Sequence, residues 1–459
     1  MNSFFTLSLG KGIALIPEDE RILLQSNFCN LTFSHPKLGL QTALHHLKHS
    51  PTTLSQLRQI VVETDGVEER NKFDTYLEKL TYFGWICHSV LPLATAIPLT
   101  GDYQFHCPEI DWQQQSFTLS RFAYLHKVDG EMILESPQSQ AKIILLDWRA
   151  AALITKLSQP QTSATLVEGI ADITEELGQQ FLSLLLATQM LSLETENSHI
   201  MQWEFHDLLF HSRSRKGRHS KPIGATYRFL EKIEPLPVIK PPISDKVIQL
   251  YKPNLEDLAK TDISLTQALE SRKSIREYDE NPITLVQLGE LLYRCARVKE
   301  IIDLKEKGQL SRRPYPGAGA IYELEIYPIV NYCEGLEAAV YHYRPGSHEL
   351  ELVSEWNPAI EALFTDAYHA CAKQVIPQIL VIITARFCRF FWKYQSMAYA
   401  AILKHVGVLY QSFYLVTTAM KLAPCALGSG NSDLFAKATG IDYYEESSVG
   451  EFMLGTVKQ

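Results

Sequence analysis

The sequence lacks the markers of several functional classes. Its eight cysteines are scattered, and no two of them form a C-x-x-C pair. This pattern disfavours a disulfide frame and a cysteine zinc site, so we expect no metal ion and a reducing compartment, the cytoplasm. No G-x-G-x-x-G or P-loop motif is present either. A phosphate group would therefore not bind at a glycine-rich helix start of those kinds.

An excess of positive charge and long apolar runs are also missing. The formal net charge is −9, which gives no support for binding to nucleic acid or anionic lipid. Apolar residues make up 46% of the 459 residues, yet no run reaches the ~18 residues of a membrane span. No basic segment precedes the first apolar residues, so a signal peptide is not expected. We predict no nucleic-acid partner and no membrane partner.

Two stretches of the N-terminal half resemble each other. Each predicts an amphipathic helix, a break at Pro51 or Pro160, two further helices and a strand. Thr52–Thr53 and Thr162–Ser163 stand where helix N-caps belong. This order is that of a winged helix, although two unrelated helical segments could also produce it. The third predicted helices are not rich in Lys and Arg, so a clamp for an extended peptide is favoured over DNA binding.

The segment between the repeats and the segment after them suggest the domain boundaries. Val128–Asp129–Gly130 predicts a tight hairpin turn, and the proline-rich stretch 235–245 predicts a semi-rigid linker. We therefore expect a first winged-helix-like clamp at 1–100 and a second one, with hairpin and linker, at 101–245. The third domain is then 246–459.

A basic motif, RKSIR, opens the third domain. Arg272 and Arg276 can converge whether the motif is helical or extended, and Ser274 adds a hydroxyl group. Such a set suits a phosphate clamp, with Lys273 as a further cation. The same five letters are also common on the surface of a helix.

A small-residue loop follows about forty residues later. Tyr315, Pro316, Gly317, Ala318 and Gly319 precede an alternating strand at 324–332. A loop without side chains lets the backbone approach a flat ring closely. A hairpin with its turn at Pro345–Gly346 and a buried strand at 378–387 come next.

Together, RKSIR, PGAGA, the long helix after Ser396 and the late turn CALGSG resemble the FMN-dependent nitroreductase fold. Within it they resemble the azoline dehydrogenases of ribosomal peptide biosynthesis, and the N-terminal repeats resemble the clamp domains of the cyanobactin oxidases. The resemblance implies an α+β fold: a nitroreductase-like domain, with a mostly antiparallel central sheet surrounded by helices, behind tandem winged-helix clamps. It also implies a homodimer formed through the FMN domain.

The resemblance further implies roles for single residues. Arg272, Ser274 and Arg276 would hold the phosphate and ribityl chain of FMN, and Pro316 to Gly319 would line its ring system. Four other residues would contact the flavin: Gln411, Leu427, Gly428 and Ser429. Gly317 and Glu323 depart from the family, in which serine and proline are common at these positions.

The stretch FFWKYQSM places Lys393 and Tyr394 between a strand and a helix. Without other features, a solvent-exposed lysine at a helix start would be expected. The pair matches the one that azoline dehydrogenases carry there, so we predict that Lys393 is a catalytic base and Tyr394 its partner. Phe390, Phe391 and Trp392 would supply an apolar pocket, which favours the neutral amine.

The predicted function is therefore oxidation of thiazolines or oxazolines to thiazoles or oxazoles in a heterocyclised precursor peptide of cyanobactin type. FMN is the expected cofactor, and O₂ the expected final acceptor. One alternative is an NAD(P)H-dependent nitro- or quinone reductase. The other is a non-catalytic scaffold that binds the precursor peptide.

Overall fold

The structure, a computed structural model, describes residues 4–26, 29–101, 103–107, 109–112, 114–192 and 198–458. It divides into two compact units, the first ending at Lys221 and the second beginning at Pro222. Among the described residues, no helix is long and apolar enough to cross a membrane.

The first unit contains two similar arrangements of strands and helices. Its strands are β1 (Thr6–Leu9), β2 (Ala14–Glu18), β3 (Arg21–Gln25), β4 (Asn30–Ser34), β5 (Thr52–Thr53), β6 (Ile86–Val90), β7 (Ala94–Pro98), β8 (Thr118–Leu119), β9 (Tyr124–Val128), β10 (Glu131–Glu135), β11 (Ala141–Leu145) and β12 (Leu191–Ser192). Its helices are α1 (Leu38–His49), α2 (Leu54–Asp65), α3 (Glu69–Tyr82), α4 (Trp148–Lys156), α5 (Ser163–Val167), α6 (Glu175–Ala187) and α7 (Phe205–Arg213). A three-stranded meander followed by three helices thus occurs twice.

Local signals in the sequence explain these boundaries. Thr53 caps α2 and Thr162 caps α5, each within a capping box, which satisfies backbone N–H groups at the helix start. Asp129 and Gly130, at φ 51° and 86°, form the turn between β9 and β10. The predicted helical repeats, N-caps and hairpin are confirmed.

The two meanders differ in how their third strand is paired. In the first, β4 pairs with β3 and lies at the edge of a three-stranded sheet, β2-β3-β4. In the second, β11 pairs with both β10 and β7 inside a seven-stranded sheet, β5-β1-β6-β7-β11-β10-β9. Each helical triplet nevertheless encloses a separate apolar core.

The second unit contains a single large antiparallel sheet. Its strands are β13 (Gly224–Ala225), β14 (Val247–Gln249), β15 (Glu300–Asp303), β16 (Gln309–Arg312), β17 (Leu324–Val330), β18 (Ala339–Arg344), β19 (Glu349–Glu355), β20 (Ile379–Arg386), β21 (Tyr394–Gln395), β22 (Leu422–Leu427) and β23 (Glu446–Thr456). Its helices are α8 (Leu255–Thr261), α9 (Leu265–Ser271), α10 (Leu285–Ala296), α11 (Pro358–Ala370), α12 (Phe387–Phe391), α13 (Ala398–Ala419) and α14 (Ser432–Thr439).

Seven of these strands form the sheet, in the order β14-β19-β18-β17-β20-β23-β22, with every neighbouring pair antiparallel. Every residue of β20 is buried, as expected for a continuous apolar run covered on both faces. One core packs with α10 and α13, and a second with α11 and α14. The predicted α+β fold, with a mostly antiparallel sheet surrounded by helices, is confirmed.

The proline-rich segment does not behave as a spacer. Residues 222–246, which we call the strap, form the start of the second unit and bind along the rest of it through hydrogen bonds at successive points. These bonds join Pro222 to Ser396, Thr226 and Tyr227 to Lys393, Ile233 to Trp392, Leu236 to Arg389, Pro237 to Arg386, Lys240 to Glu446, and Ile243 and Ser244 to Glu351. The boundary between the two compact units, after Lys221, lies before the predicted domain boundary at residue 245. The division of the chain into three domains stays a prediction.

A buried charge row crosses the middle of this sheet. His342 lies between Glu351, 2.7 Å from its Nδ1, and Glu325, 3.1 Å from its Nε2. Arg386 donates to Glu325 at 3.3 Å. All four side chains are at most 5% exposed, and the alternating strand pattern did not reveal them.

Candidate active site

Lys393 and Tyr394 lie at the predicted junction between a strand and a helix. β20 ends at Arg386, the short helix α12 follows, and α13 begins at Ala398. The side chain of Lys393 is 9% exposed, so it is not the solvated lysine of an ordinary helix start. The Tyr394 ring stacks on Phe390, with centroids 4.7 Å apart.

The small-residue loop lies directly against this pair. Gly319 adopts φ 58°, a left-handed conformation that favours glycine. A Cβ atom built on Gly319 would collide with the hydroxyl of Tyr394 and would lie 2.8 Å from Lys393 Nζ. The structure thus brings together three predicted site residues that are about seventy-five positions apart in the chain.

The aromatic surroundings of the amine differ from the expectation. The rings nearest to Lys393 Nζ are those of Tyr394, at 5.4 Å, and Tyr227, at 5.5 Å. Phe391 instead stacks on a neighbouring phenylalanine, and Trp392 Nε1 donates to the carbonyl of Ile233. Successive residues of a helix point in different directions, so the three consecutive aromatics cannot all face one amine.

A buried histidine and a buried carboxylate support the loop. Ala318 donates its backbone N–H to His405 Nε2 at 2.8 Å, and His405 Nδ1 lies 2.7 Å from Glu323 Oε1. Because Nε2 accepts, the proton of the neutral ring is on Nδ1 and is donated to Glu323. The departure at Glu323 is thereby explained: the carboxylate binds a histidine of α13 that in turn anchors the loop.

The RKSIR motif follows α9, lies in neither a helix nor a strand, and packs beside α13. Ser274 Oγ lies 2.7 Å from the hydroxyl of Tyr414, and the Arg272 guanidinium lies 5.1 Å from the centre of the same ring. Within the described part of the chain, no carboxylate lies within 4.0 Å of Arg272, Lys273 or Arg276. These three cations are therefore available to an anionic ligand such as a phosphate ester.

The late turn borders a cavity of about 320 Å³. Leu427, Gly428 and Ser429 line it together with Tyr410 and Glu451. Tyr410 accepts a hydrogen bond from the backbone N–H of Glu451 at 2.6 Å. Burial raises the pKa of the Glu451 carboxyl group above its usual value.

Models of known families match three successive parts of the chain. The "ThcOx helix turn helix domain" model matches residues 1–107, the "Cyanobactin oxidase ThcOx" model matches 117–220, and the "Nitroreductase family" model matches 269–456. Residues 269–456 belong to the nitroreductase family. The N-terminal half of the chain carries the domains of the cyanobactin oxidases.

Several individual proteins are similar to this chain. The protein named "Putative nitroreductase MJ1384" of Methanocaldococcus jannaschii is 29% identical over 40% of this chain and 84% of that protein. The microcin B17-processing protein McbC of Escherichia coli is 27% identical over 28% of this chain and 49% of that protein. The trifolitoxin-processing protein TfxB of Rhizobium leguminosarum bv. trifolii is 25% identical over 39% of this chain and 43% of that protein. The chain thus spans about half of each of the two processing proteins.

Among solved structures, the E. coli microcin synthetase McbBCD complex with truncated pro-MccB17 bound is matched at 19% identity. The match covers 58% of this chain and 99% of that chain, with a TM-score of 0.35. The family assignment follows from the sequence models.

The structure describes the surroundings of three further residues that were predicted to contact the cofactor, and their roles stay predictions. Tyr315 is 2% exposed, its ring packs edge-on against the ring of Tyr322, and its carbonyl accepts a hydrogen bond from the Tyr322 hydroxyl. Gln411 is exposed on α13. Gly317 packs closely against the ring of Tyr322, because a Cβ atom built on Gly317 would lie 3.3 Å from that ring.

Sequence reasoning missed His405 and Tyr227, and it noted Glu323 only as a departure from the family. His405 falls within the apolar stripe of α13, where an isolated polar residue is a weak signal for a tertiary partner. Tyr227 lies just before the predicted linker at 235–245, in a stretch without a motif. No pattern links these residues before the fold brings them together.

Proposed function

We propose that this protein oxidises the thiazoline or oxazoline rings of a heterocyclised precursor peptide to thiazoles or oxazoles, with FMN as cofactor. The observation that carries this proposal is the position of Lys393 and Tyr394 against Gly319 of the small-residue loop. The names of the relatives McbC and TfxB, which describe the processing of microcin B17 and trifolitoxin, support a peptide substrate.

The residues present fit a flavin mononucleotide. Arg272 and Arg276 would hold its phosphate, because their charges are not neutralised by carboxylates of the described residues, and Ser274 would add a hydroxyl donor. Leu427 to Ser429 border an open cavity, and Gly319 keeps the loop backbone free of a side chain. When bound, the flavin supplies the acceptor for a hydride.

The chain's own groups handle the protons and the orientation of the ring. Oxidation of an azoline removes a proton from the former Cα and a hydride from the adjacent CH₂, a loss of about 2 Da per ring. The Lys393 amine takes the Cα proton. Burial raises the pKa of Tyr394 above its usual value, so its hydroxyl stays protonated and can donate to the heterocycle.

The first N-terminal repeat offers a place to hold the peptide. β4 is an edge strand whose backbone can pair with an extended segment. Beside it lies a groove of about 220 Å³ lined by Phe33, Phe73 and Tyr76, and also by Lys37 and Lys72, which pair with a glutamate of the same groove. In the second repeat the equivalent strand, β11, is already paired with β7. We therefore assign peptide holding to the first repeat alone.

A homodimer through the FMN domain and O₂ as final acceptor complete the proposal. Tyr399 and Leu403, on one side of α13, are 41% and 40% exposed, and Gly407 follows on the same side. An apolar row of this kind suits pairing with a second copy of the helix.

Mass spectrometry of an azoline-bearing peptide incubated with protein, FMN and air tests the proposal. The wild-type protein should remove about 2 Da per ring. Lys393→Ala should retain its flavin absorbance and lose this activity by a factor of at least about 100. Lys437→Ala, which removes an exposed lysine of α14, is the control and should match the wild type. Full activity in Lys393→Ala would falsify the proposed base.

A reductase that uses NAD(P)H is the second candidate, favoured by the match to 84% of MJ1384, which is named a nitroreductase. Turnover of nitroaromatic compounds with NADPH, with no mass loss in the azoline peptide, would establish it instead.

A further inference from the structure

The strap lies in a part of the chain that the family models leave unmatched. The models end at 220 and resume at 269. The first residues of the strap nevertheless make the closest backbone contacts to Lys393. Thr226 and Tyr227 both donate their N–H groups to the Lys393 carbonyl, at 3.0 and 3.2 Å.

A short two-stranded sheet fixes this contact in register. β13 pairs with β21 so that Gly224 faces Gln395 and Ala225 faces Tyr394. The backbone on the C-terminal side of Lys393 is therefore held by the strap as well. Tyr227 itself adopts φ 51°, a conformation unusual for a bulky residue, and this bend directs the chain over the lysine.

The ring of Tyr227 completes the surroundings of the amine. Its centroid is 5.5 Å from Lys393 Nζ, and the ring packs edge-on against Trp392 at 5.8 Å and 88°. Within the described residues, no group accepts a hydrogen bond from this amine and no carboxylate pairs with it. A flexible lysine without a hydrogen-bond partner is oriented by the surfaces that it contacts.

We propose that the strap is part of the active site and that Tyr227 is a positioning residue, which directs the Lys393 amine toward the substrate. This inference rests on the proposed function of Lys393. It extends the site to a residue more than 160 positions before the lysine, and it gives the strap a role beyond connecting the two units.

Chemical labelling of the full-length protein tests the contact without relying on activity. A short pulse of an acetylating reagent is followed by peptide mass spectrometry, with Lys437 as the internal reference. Tyr227→Leu removes the ring and should increase the acetylation of Lys393 severalfold over the wild type. Phe229→Leu, an aromatic substitution two positions further on the strap, is the matched control and should leave it unchanged.

Kinetics with an azoline peptide test the positioning role. Tyr227→Leu should keep the flavin content and the melting temperature but reduce kcat about 10- to 100-fold, with a small change in KM, because the base is misdirected. Tyr227→Phe keeps the ring and should retain most of the wild-type kcat. That result would show that loss of the ring, and not loss of the hydroxyl, lowers kcat in Tyr227→Leu.

The outcomes separate this inference from the proposed function. Unchanged labelling in Tyr227→Leu overturns the contact, and increased labelling with a wild-type kcat overturns the positioning role. A drop in kcat that Tyr227→Phe does not relieve also overturns it. Absence of azoline turnover in the wild-type protein contradicts the proposed function, while the labelling result still decides whether Tyr227 covers the lysine.

Discussion

At the residue scale, Gly319 makes the most demanding contact of the candidate site. Alanine at this position would place a methyl group against the Tyr394 hydroxyl and 2.8 Å from Lys393 Nζ. It would also adopt a left-handed conformation, which costs about 1–2 kcal/mol for an L-residue. We expect Gly319→Ala to lower kcat for azoline oxidation at least about 10-fold, as measured by steady-state kinetics, and to lower the free energy of urea unfolding.

Gly12→Ala is the matched control for this substitution. Among the described residues, no atom beyond its chain neighbours lies within 4 Å of a Cβ built on Gly12, so kcat and stability should stay at wild-type values. A Gly319→Ala protein with the wild-type kcat would show that the loop and the Lys393–Tyr394 pair do not form one site.

The residues of the site fall into two groups: those that belong to a recognisable sequence motif and those that do not. Lys393, Tyr394 and Gly319 belong to short motifs whose order along the chain can be recognised, and the structure places them together. His405 and Glu323 are single polar residues, and their pairing depends on a contact across 82 positions. A motif was visible for the first group, and only tertiary packing reveals the second.

At the scale of elements, the capped helices of the first unit give a direct test of the repeat assignment. The Thr53 hydroxyl accepts a hydrogen bond from the Gln56 N–H within a capping box. Thr53→Ala should therefore lower the free energy of unfolding by about 1 kcal/mol. The measurement is chemical denaturation monitored by circular dichroism.

Thr75→Ala provides the comparison within the same triplet of helices. Thr75 is exposed inside α3, and its hydroxyl donates to the Asn71 carbonyl. Alanine has the higher helix propensity there, so stability should be unchanged or slightly increased. Equal losses in the two variants would contradict the capping assignment.

The strap shows why the sequence predicted most elements but misjudged this one. Alternation, apolar periodicity and cap residues are local patterns, and they predicted the hairpins, β20 and α13. A proline-rich segment has no such periodicity and resembles a spacer. Its binding depends on buried arginines, Arg386 and Arg389, that donate to its carbonyl groups from elsewhere in the chain.

At the scale of the whole molecule, the buried charge row links strands β17, β18, β19 and β20 and makes stability depend on pH. Burial by itself lowers the pKa of His342, but hydrogen bonds to Glu325 and Glu351 outweigh it and raise the pKa above the usual value. Burial raises the pKa of each glutamate, but His342 and other partners outweigh it and lower the pKa. His342 thus stabilises the fold below its unfolded pKa of about 6.5, and the glutamates above theirs of about 4.3.

His342→Gln should therefore destabilise the protein most between about pH 4.3 and 6.5. Within that window we expect a loss of about 3–5 kcal/mol, because two buried carboxylates lose a cationic partner. The difference from the wild type should shrink as pH rises through the folded pKa of His342, and as pH falls through those of the glutamates. Melting temperatures measured across this range provide the test.

His369→Gln replaces an exposed histidine at the end of α11 and is the control. The melting temperature of this variant should equal that of the wild type at every pH. A His342→Gln protein whose deficit does not change with pH would show that the charge row contributes only packing.

The choice of electron donor tests the central claim about function most directly. Under anaerobic conditions, the flavin-loaded protein is mixed separately with an azoline peptide and with NADPH, and the flavin absorbance is followed. We predict that the azoline peptide bleaches the absorbance and emerges about 2 Da lighter per ring, while NADPH bleaches it slowly or not at all. Rapid bleaching by NADPH, with the azoline peptide leaving both the absorbance and its own mass unchanged, would contradict an azoline oxidase.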